Sequence, residues 1–177
     1  MRAETLVPVW PTLTFPNHYS LVTGLSPAEH GIVGNEFPDG ERWYALGDRT
    51  AVEDGSYYGG EPLWVAAERA GMVAASYFWV GSEAAVQGIR PTHWQRYDGD
   101  IPNAERVDQV LRWLAEPPET RPRFITLYFE DVDSWGHWTG MGSPRFQTAL
   151  QDVDHALGQL LDGLEALSGT SAIPCPS

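Results

Sequence analysis

The order of apolar patterns along the 177-residue chain is the feature that most restricts its fold. Short apolar runs typical of strands alternate with longer segments whose apolar residues recur every three or four positions, as in helices. Such alternation predicts an α/β fold with a mostly parallel sheet flanked by helices, because each helix returns the chain to the same end of the sheet. The predicted strands are residues 6–10, 72–79 and 124–129, and the predicted helices are residues 17–23, 61–71, 103–114 and 146–167.

Two of these elements carry the clearest signals. Residues 124–129 form a nearly unbroken β-prone run, which is expected of a strand buried on both faces. Residues 146–167 place apolar side chains along one face of a helix of several turns. By contrast, residues 31–60 and 81–102 show no sustained period, and we interpret them as loop or irregular structure. We expect one domain over residues 1–168 and a divergent, disordered tail over residues 169–177, where two prolines disfavour a strand.

The formal net charge of −13 argues against one class of function. Binding to a nucleic-acid backbone needs clustered Lys and Arg, and the sequence contains no basic run. The acidity either serves solubility alone, or it accompanies metal cations that bring positive charge to a phosphate ester, and both interpretations stay open. No run approaches about 18 apolar residues, so no membrane span is expected. The single cysteine, Cys175, excludes an internal disulfide and a cysteine-based zinc site.

The first segment with chemical content is Pro11-Thr12-Leu13-Thr14-Phe15-Pro16-Asn17-His18-Tyr19. It places the hydroxyl of Thr14 between a predicted strand and a predicted helix, near backbone N–H groups and the positive end of the helix dipole. A threonine there is a candidate nucleophile, provided that a base or a metal activates its hydroxyl. The alternative is that Thr14 only caps the helix. The local pattern leaves both interpretations open.

The second segment is Glu130-Asp131-Val132-Asp133-Ser134-Trp135-Gly136-His137. It follows the carboxyl end of the predicted strand at 124–129, and ligands of open α/β sheets bind at such ends. Asp133 and His137 stand four residues apart, so either one helical turn or a tight loop can aim both at one cation. Aspartate oxygen and histidine nitrogen are ordinary zinc ligands. The alternative is an acidic surface loop with an incidental histidine.

Taken together, these segments resemble the nucleotide pyrophosphatase/phosphodiesterase family of the alkaline phosphatase superfamily. The threonine segment is the most specific match, and order and spacing agree to about residue 167. The other matching stretches are Thr23-Gly24-Leu25 with Pro27, His30-Gly31-Ile32 with Asn35, Gly60-Glu61-Pro62-Leu63-Trp64, Phe78-Trp79 with Gly81-Ser82, Tyr97 with Gly99, and Thr126-Leu127-Tyr128 through Asp133 to Gly136-His137. The resemblance implies an alkaline-phosphatase-like fold that this chain would contain as a partial catalytic domain, incomplete at both ends.

The resemblance also implies a zinc-dependent hydrolase that cleaves phosphodiester or pyrophosphate bonds of nucleotides. Thr14 is implied as the nucleophile and as a ligand of one of two zinc ions, and Asp133 and His137 as ligands of the other. Asn35 is implied as a hydrogen-bond donor to a phosphoryl oxygen. The residues implied to bind the substrate, a small phosphodiester of the nucleotide type, are Phe15, Asn35, Tyr97 and Tyr128. The comparison gives no metal role to the histidines at positions 18, 30, 93 and 155.

The chain departs from the family pattern in its metal ligands. It supplies only three of them, Thr14, Asp133 and His137, so we expect a truncated chain that is weakly active or inactive. Two alternatives stay open: a lipid-directed phosphodiesterase of the same family and a non-enzymatic remnant. The family implies a periplasmic or secreted location, whereas residues 1–4 show no apolar signal core.

Overall fold

The structure is a computed structural model, and it describes residues 4–169. Between these residues the chain forms seven α-helices, one short 3-10 helix at Gly55–Tyr57 and five strands. The helices are Thr14–Thr23 (α1), Pro27–His30 (α2), Arg49–Val52 (α3), Leu63–Arg69 (α4), Asn103–Leu114 (α5), Asp131–Thr139 (α6) and Pro144–Gly169 (α7). The strands are Glu36–Asp39 (β1), Arg42–Ala45 (β2), Ala74–Tyr77 (β3), His93–Gln95 (β4) and Phe124–Leu127 (β5).

A three-stranded sheet in the order β4-β3-β5 organises the fold, and its parallel pairing confirms the predicted α/β class. Every residue of β3 is buried, so β3 is the strand covered on both faces. The prediction of full burial for residues 124–129 is wrong: in β5 only Thr126 is buried. The reason is position, because within the described residues β5 pairs with β3 on one side only.

The predicted strand at residues 6–10 is absent from the structure. Leu6 and Val7 are 73% and 80% exposed, and Pro8 has no N–H to give to a ladder. The N–H of Val9 instead donates to the side-chain oxygen of Asn17 at 2.8 Å. A strand needs a backbone partner, and here a side chain takes that place.

Residues 31–60 are not the continuous loop that the sequence predicts. Strands β1 and β2 form an antiparallel hairpin, and its turn includes Gly40 at φ +61°. The rings of Phe37 and Tyr44 stack at 4.8 Å in the core beneath it. Likewise, β4 lies inside the segment 81–102 that was interpreted as irregular. Strands of three or four residues are too short to show a period, so the sequence pattern misses them.

The two longest predicted helices are confirmed. Helix α5 has the predicted bounds, and α7 extends a little beyond residues 146–167 at both ends. Gly163 lies where α7 contacts Leu111 of α5, and a Cβ there would clash with that side chain. None of the helices within residues 4–169 is long and apolar enough to cross a lipid bilayer. The predicted tail begins at the last described residue, and Cys175 lies beyond the described residues. The predictions about the tail and about Cys175 therefore stay predictions.

His30, the last residue of α2, is fully buried and contacts α1 through Tyr19 and Ser20. The N–H of Ile32 donates to its Nδ1 at 3.2 Å, and its Nε2 lies 2.9 Å from the Ser20 hydroxyl. Because a backbone N–H can only donate, Nδ1 is unprotonated and the ring is neutral. His30 is therefore a neutral, hydrogen-bonded core residue, and burial lowers the pKa of His30.

We expect acid to destabilise the chain through His30. The pKa of His30 is lower in the folded state than its unfolded value of about 6.5, so below that pH the unfolded state binds more protons. The free energy of unfolding should therefore fall as the pH drops from about 7.5 to about 5.5, above the range where carboxylates titrate. Urea unfolding at several pH values measures this. The exposed His155 provides the control, since His155→Gln should leave the slope unchanged; a flat profile for the wild-type chain would contradict the expectation.

Candidate functional site

Thr14 occupies the first position of α1, and the N-cap position belongs to Leu13. That cap residue makes no side-chain hydrogen bond to the helix. The N–H of Phe15 is satisfied instead by the side-chain oxygen of Asn35, at 3.0 Å. The interpretation of Thr14 as the helix cap is therefore wrong, because a residue from the loop before β1 performs that task. Thr14 is half-buried, and its hydroxyl has no hydrogen bond to another described residue.

The backbone that leads into Thr14 is held by the side chain of Asn17. Its amide nitrogen donates to the carbonyls of Pro11 and Leu13, at 2.9 and 3.0 Å, and its oxygen accepts from Val9. In addition, Nδ1 of His18 lies 2.7 Å from the carbonyl oxygen of Thr14. Sequence reasoning gave neither residue a role of its own. The sequence feature that could have indicated such a role was the position of Asn17 and His18 in the first turn of the predicted helix after Thr14.

Five of the predicted site residues line one groove of about 920 Å³: Thr14, Asn35, Tyr128, Asp133 and His137. Thr14 begins α1 and Asn35 lies just before β1, whereas Tyr128 follows β5 and both Asp133 and His137 lie on α6. They meet because β5 ends beside the start of α1, and α6 begins four residues after β5. Apolar residues of the 6–9 segment complete the groove.

Asp133 and His137 lie one turn apart on α6, which is one of the two arrangements that their spacing allows. Nε2 of His137 is 3.5 Å from Oδ1 of Asp133, and the two side chains are 78% and 64% exposed. This donor pair suits zinc chemically, but zinc takes three or four protein ligands. No group of three metal-ligating residues occurs within residues 4–169. The described residues therefore supply part of a coordination sphere and not a complete one.

A second cavity of about 170 Å³ adjoins Thr14. Phe15, Tyr97 and Tyr128, the three aromatic residues implied to bind the substrate, all line it. Burial raises the pKa of both tyrosines, and the carboxylate of Glu130 adds to this, so both phenols are neutral at physiological pH.

The walls of this cavity combine aromatic rings with charge. The backbone of Phe78 has a positive φ of +70°, and the centre of its ring lies 5.3 Å from the centre of the Tyr97 ring. An ion pair between Arg49 and Glu83 completes the lining. An aromatic cavity with a few polar groups is typical of a small-molecule site.

A buried ion pair fixes the segment between β5 and α6. Both terminal nitrogens of Arg106 donate to the Glu130 carboxylate, at 2.6 and 2.7 Å. The same guanidinium donates to the carbonyl of Tyr128 at 3.0 Å, and Asn103 donates to Asp131 at 2.8 Å. The amino-terminal part of α5 thus holds Tyr128, Glu130 and Asp131, which lie where the chain passes from β5 into α6. Sequence reasoning missed this pair, although an arginine on the apolar face of a predicted helix was the available signal.

The sequence model described as type I phosphodiesterase/nucleotide pyrophosphatase matches residues 1–173. The chain belongs to this family. Human ectonucleotide pyrophosphatase/phosphodiesterase family member 1 is 43% identical over 166 residues, which are 93% of this chain. The venom phosphodiesterase CdcPDE of Crotalus durissus collilineatus is 42% identical over 166 residues, again 93% of the chain.

Solved structures of the family have the same fold. Murine ectonucleotide pyrophosphatase/phosphodiesterase 5 superposes with a TM-score of 0.86 over 94% of this chain, at 29% identity. That structure is of an inactive variant, in which a threonine is changed to alanine, in complex with AMP. The chain spans 18% of the human relative, 20% of the venom relative and 44% of the murine chain. The predicted alkaline-phosphatase-like α/β class is therefore confirmed.

Proposed function

We propose that this chain carries the nucleophile side of a nucleotide pyrophosphatase/phosphodiesterase site, with Thr14 as the nucleophile. The observation that carries the proposal is the convergence of Thr14, Asn35, Asp133 and His137 on one groove beside an aromatic cavity. Two features of the relatives support it. Several are named as phosphodiesterases, and the murine structure pairs an inactivating threonine-to-alanine change with bound AMP.

The reaction begins at the Thr14 hydroxyl. Its oxygen attacks the phosphorus of the diester and its proton passes to solvent, while the bond from phosphorus to the leaving oxygen breaks and that oxygen takes up a proton from solvent. Thr14 lines the groove, and its hydroxyl makes no capping hydrogen bond because the side chain of Asn35 accepts from the Phe15 N–H instead. Water then attacks the phosphorus of the threonyl ester, the bond from phosphorus to the Thr14 oxygen breaks, and a proton from the water restores the Thr14 hydroxyl as the nucleoside monophosphate leaves.

Asn35 stabilises the negative charge that develops on the phosphoryl oxygens during the attack. The Phe15 N–H can only donate, so the atom of Asn35 that faces it is the oxygen. The NH₂ group is thereby turned away from the helix and is left to donate to a non-bridging phosphoryl oxygen, as an oxyanion-hole group does. A nucleobase is placed between the rings of the smaller cavity, which opens on Thr14.

On this proposal, Asp133 and His137 would hold a zinc ion in part, and Thr14 would bind zinc on the nucleophile side. Zinc supplies two effects when bound: it lowers the pKa of a coordinated hydroxyl and offsets charge on the phosphoryl oxygens. The chain's own contribution is to hold α6, which carries Asp133 and His137, beside the groove. The contacts of Arg106 and Asn103 with the segment before and at the start of α6 do this. Further ligands have to come from outside the described residues.

The proposal predicts weak zinc binding and slow hydrolysis by the 177-residue chain alone. Two side-chain ligands and one hydroxyl do not complete even one ordinary zinc site. Calorimetry with zinc and release of p-nitrophenol from p-nitrophenyl thymidine monophosphate measure the two quantities. Turnover near that of the human relative would contradict the argument from ligand number.

A chimera separates the proposal from its rivals. It carries residues 4–169 in place of the matching segment of the human relative, and it should hydrolyse the same substrate in a zinc-dependent manner. A chimera with no phosphodiesterase activity would indicate a non-enzymatic remnant. Preference for lysophosphatidylcholine over the nucleotide ester would instead favour the lipid-directed alternative. The aromatic cavity beside Thr14 favours the nucleotide.

A further inference from the structure

Three side chains hold the peptide groups around Thr14, each by a hydrogen bond. Asn17 donates to the carbonyl before Thr14, His18 faces the carbonyl of Thr14 itself, and Asn35 accepts from the N–H after it. The carbonyl of Thr14 can only accept, so Nδ1 of His18 carries the proton of that bond. The backbone of the nucleophile is thus fixed from three directions.

The ring of His18 is itself held in place. It lies edge-on to Trp79 at 5.3 Å and edge-on to Tyr128 at 5.2 Å, with an angle of 87° between the His18 and Tyr128 rings. The indole N–H of Trp79 also donates to the His18 carbonyl at 3.1 Å. His18 therefore connects Thr14 on α1 with Tyr128 at the end of β5, and both of these residues line both cavities.

Asn17 holds the other side of the turn. One amide makes three hydrogen bonds to the segment from Val9 to Leu13, which has no strand partner of its own. Without this amide nothing among the described side chains would tie that segment to the start of α1 by hydrogen bonds.

We propose that Asn17 and His18 are positioning residues for the Thr14 nucleophile. Neither has to touch the substrate to act: Asn17 sets the path of the chain into Thr14, and His18 sets the distance from Thr14 to the wall formed by Tyr128. Attack on phosphorus tolerates little misplacement of the reacting oxygen, so loss of either anchor lowers the rate more than it lowers binding. The inference rests on the proposed function, because it assigns a role relative to Thr14.

The test uses the full 177-residue chain with added zinc and p-nitrophenyl thymidine monophosphate. His18→Phe keeps a ring against Trp79 and Tyr128 but removes the donor, whereas His18→Asn keeps a donor near the Nδ1 position. We expect His18→Phe to lower kcat by about tenfold or more with KM nearly unchanged, and His18→Asn to recover most of the loss. Asn17→Asp, which keeps the acceptor and removes both donors, should resemble His18→Phe. The exposed His155→Phe is the matched control.

A second measurement decides the proposal even if no turnover is detected. Nitrogen NMR of the histidine rings should show a proton on Nδ1 of His18, and the Thr14 amide signal should shift in His18→Phe and return in His18→Asn. An unprotonated Nδ1, or equal kcat losses in both His18 variants, would overturn the positioning role. Absence of p-nitrophenol release from the wild-type chain and from the chimera, with the NMR results as expected, would count against the proposed function and leave the positioning of Thr14 supported.

Discussion

Thr14→Ala is expected to abolish nearly all hydrolysis by the chimera while leaving the fold intact. The change removes the covalent route, and each tenfold loss of rate corresponds to about 1.4 kcal/mol of barrier, so a loss of several orders of magnitude is expected. The stability should change by less than the roughly 1 kcal/mol that loss of a cap costs, because the bond to Phe15 comes from Asn35. Turnover of p-nitrophenyl thymidine monophosphate and urea unfolding measure the two effects.

Two further variants sharpen this expectation. Thr14→Ser keeps a hydroxyl and should retain measurable activity. Thr148→Ala removes an exposed threonine hydroxyl from α7 and should leave the rate of hydrolysis unchanged. If Thr14→Ala lowered only the midpoint of unfolding and kept turnover, the mechanism given above would be wrong.

The largest loss of stability is expected from breaking the ion pair between Arg106 and Glu130. The Arg106 side chain is only 2% exposed and that of Glu130 15%, so Arg106→Met leaves a carboxylate largely buried without its counter-charge. Such uncompensated charges cost about 3–5 kcal/mol, a large part of the stability of an ordinary domain. Urea unfolding of Arg106→Met should show this loss or an unfolded chain.

The double variant Arg106→Met with Glu130→Leu tests the cause. Replacing both partners by apolar side chains removes the buried charge and should restore much of the stability. Arg112→Met, on the exposed side of the same helix, is the matched control and should cost little. A double variant as unstable as Arg106→Met alone would show that the contacts of Arg106 with Tyr128 matter more than the charge pair.

The sequence was sufficient for the elements that bury an extended apolar face. Helix α5 and the body of α7 follow from spacing alone, and so does the alternation that makes the sheet parallel. The sequence was insufficient where the structure of a segment depends on which other part of the chain it pairs with, or where the segment is very short. Residues 6–10 look like a strand but have no backbone partner, and the hairpin of β1 and β2 is too short to carry a period.

The same limit applies to the site. Thr14, Asn35, Asp133 and His137 were singled out by motif, and the structure brings them to one groove, whereas their roles stay proposals. Asn17, His18 and Arg106 were missed as positioning residues because their roles are hydrogen bonds to backbone carbonyls and one distant carboxylate. No residue pattern encodes the direction of such bonds, since any chain segment offers the same carbonyls.

The separation in sequence between bonded residues has a consequence for the order of folding. The hydrogen bonds around Thr14 join residues 4 to 20 positions apart, whereas Ser76 and Thr126, which join β3 to β5, are 50 positions apart. Contacts between near neighbours close smaller loops at a lower entropy cost, and the amino-terminal part of a chain leaves the ribosome first. We therefore expect the turn at Thr14 to form early in synthesis, and the wall that bears Asp133 to close over it only when the sheet is assembled.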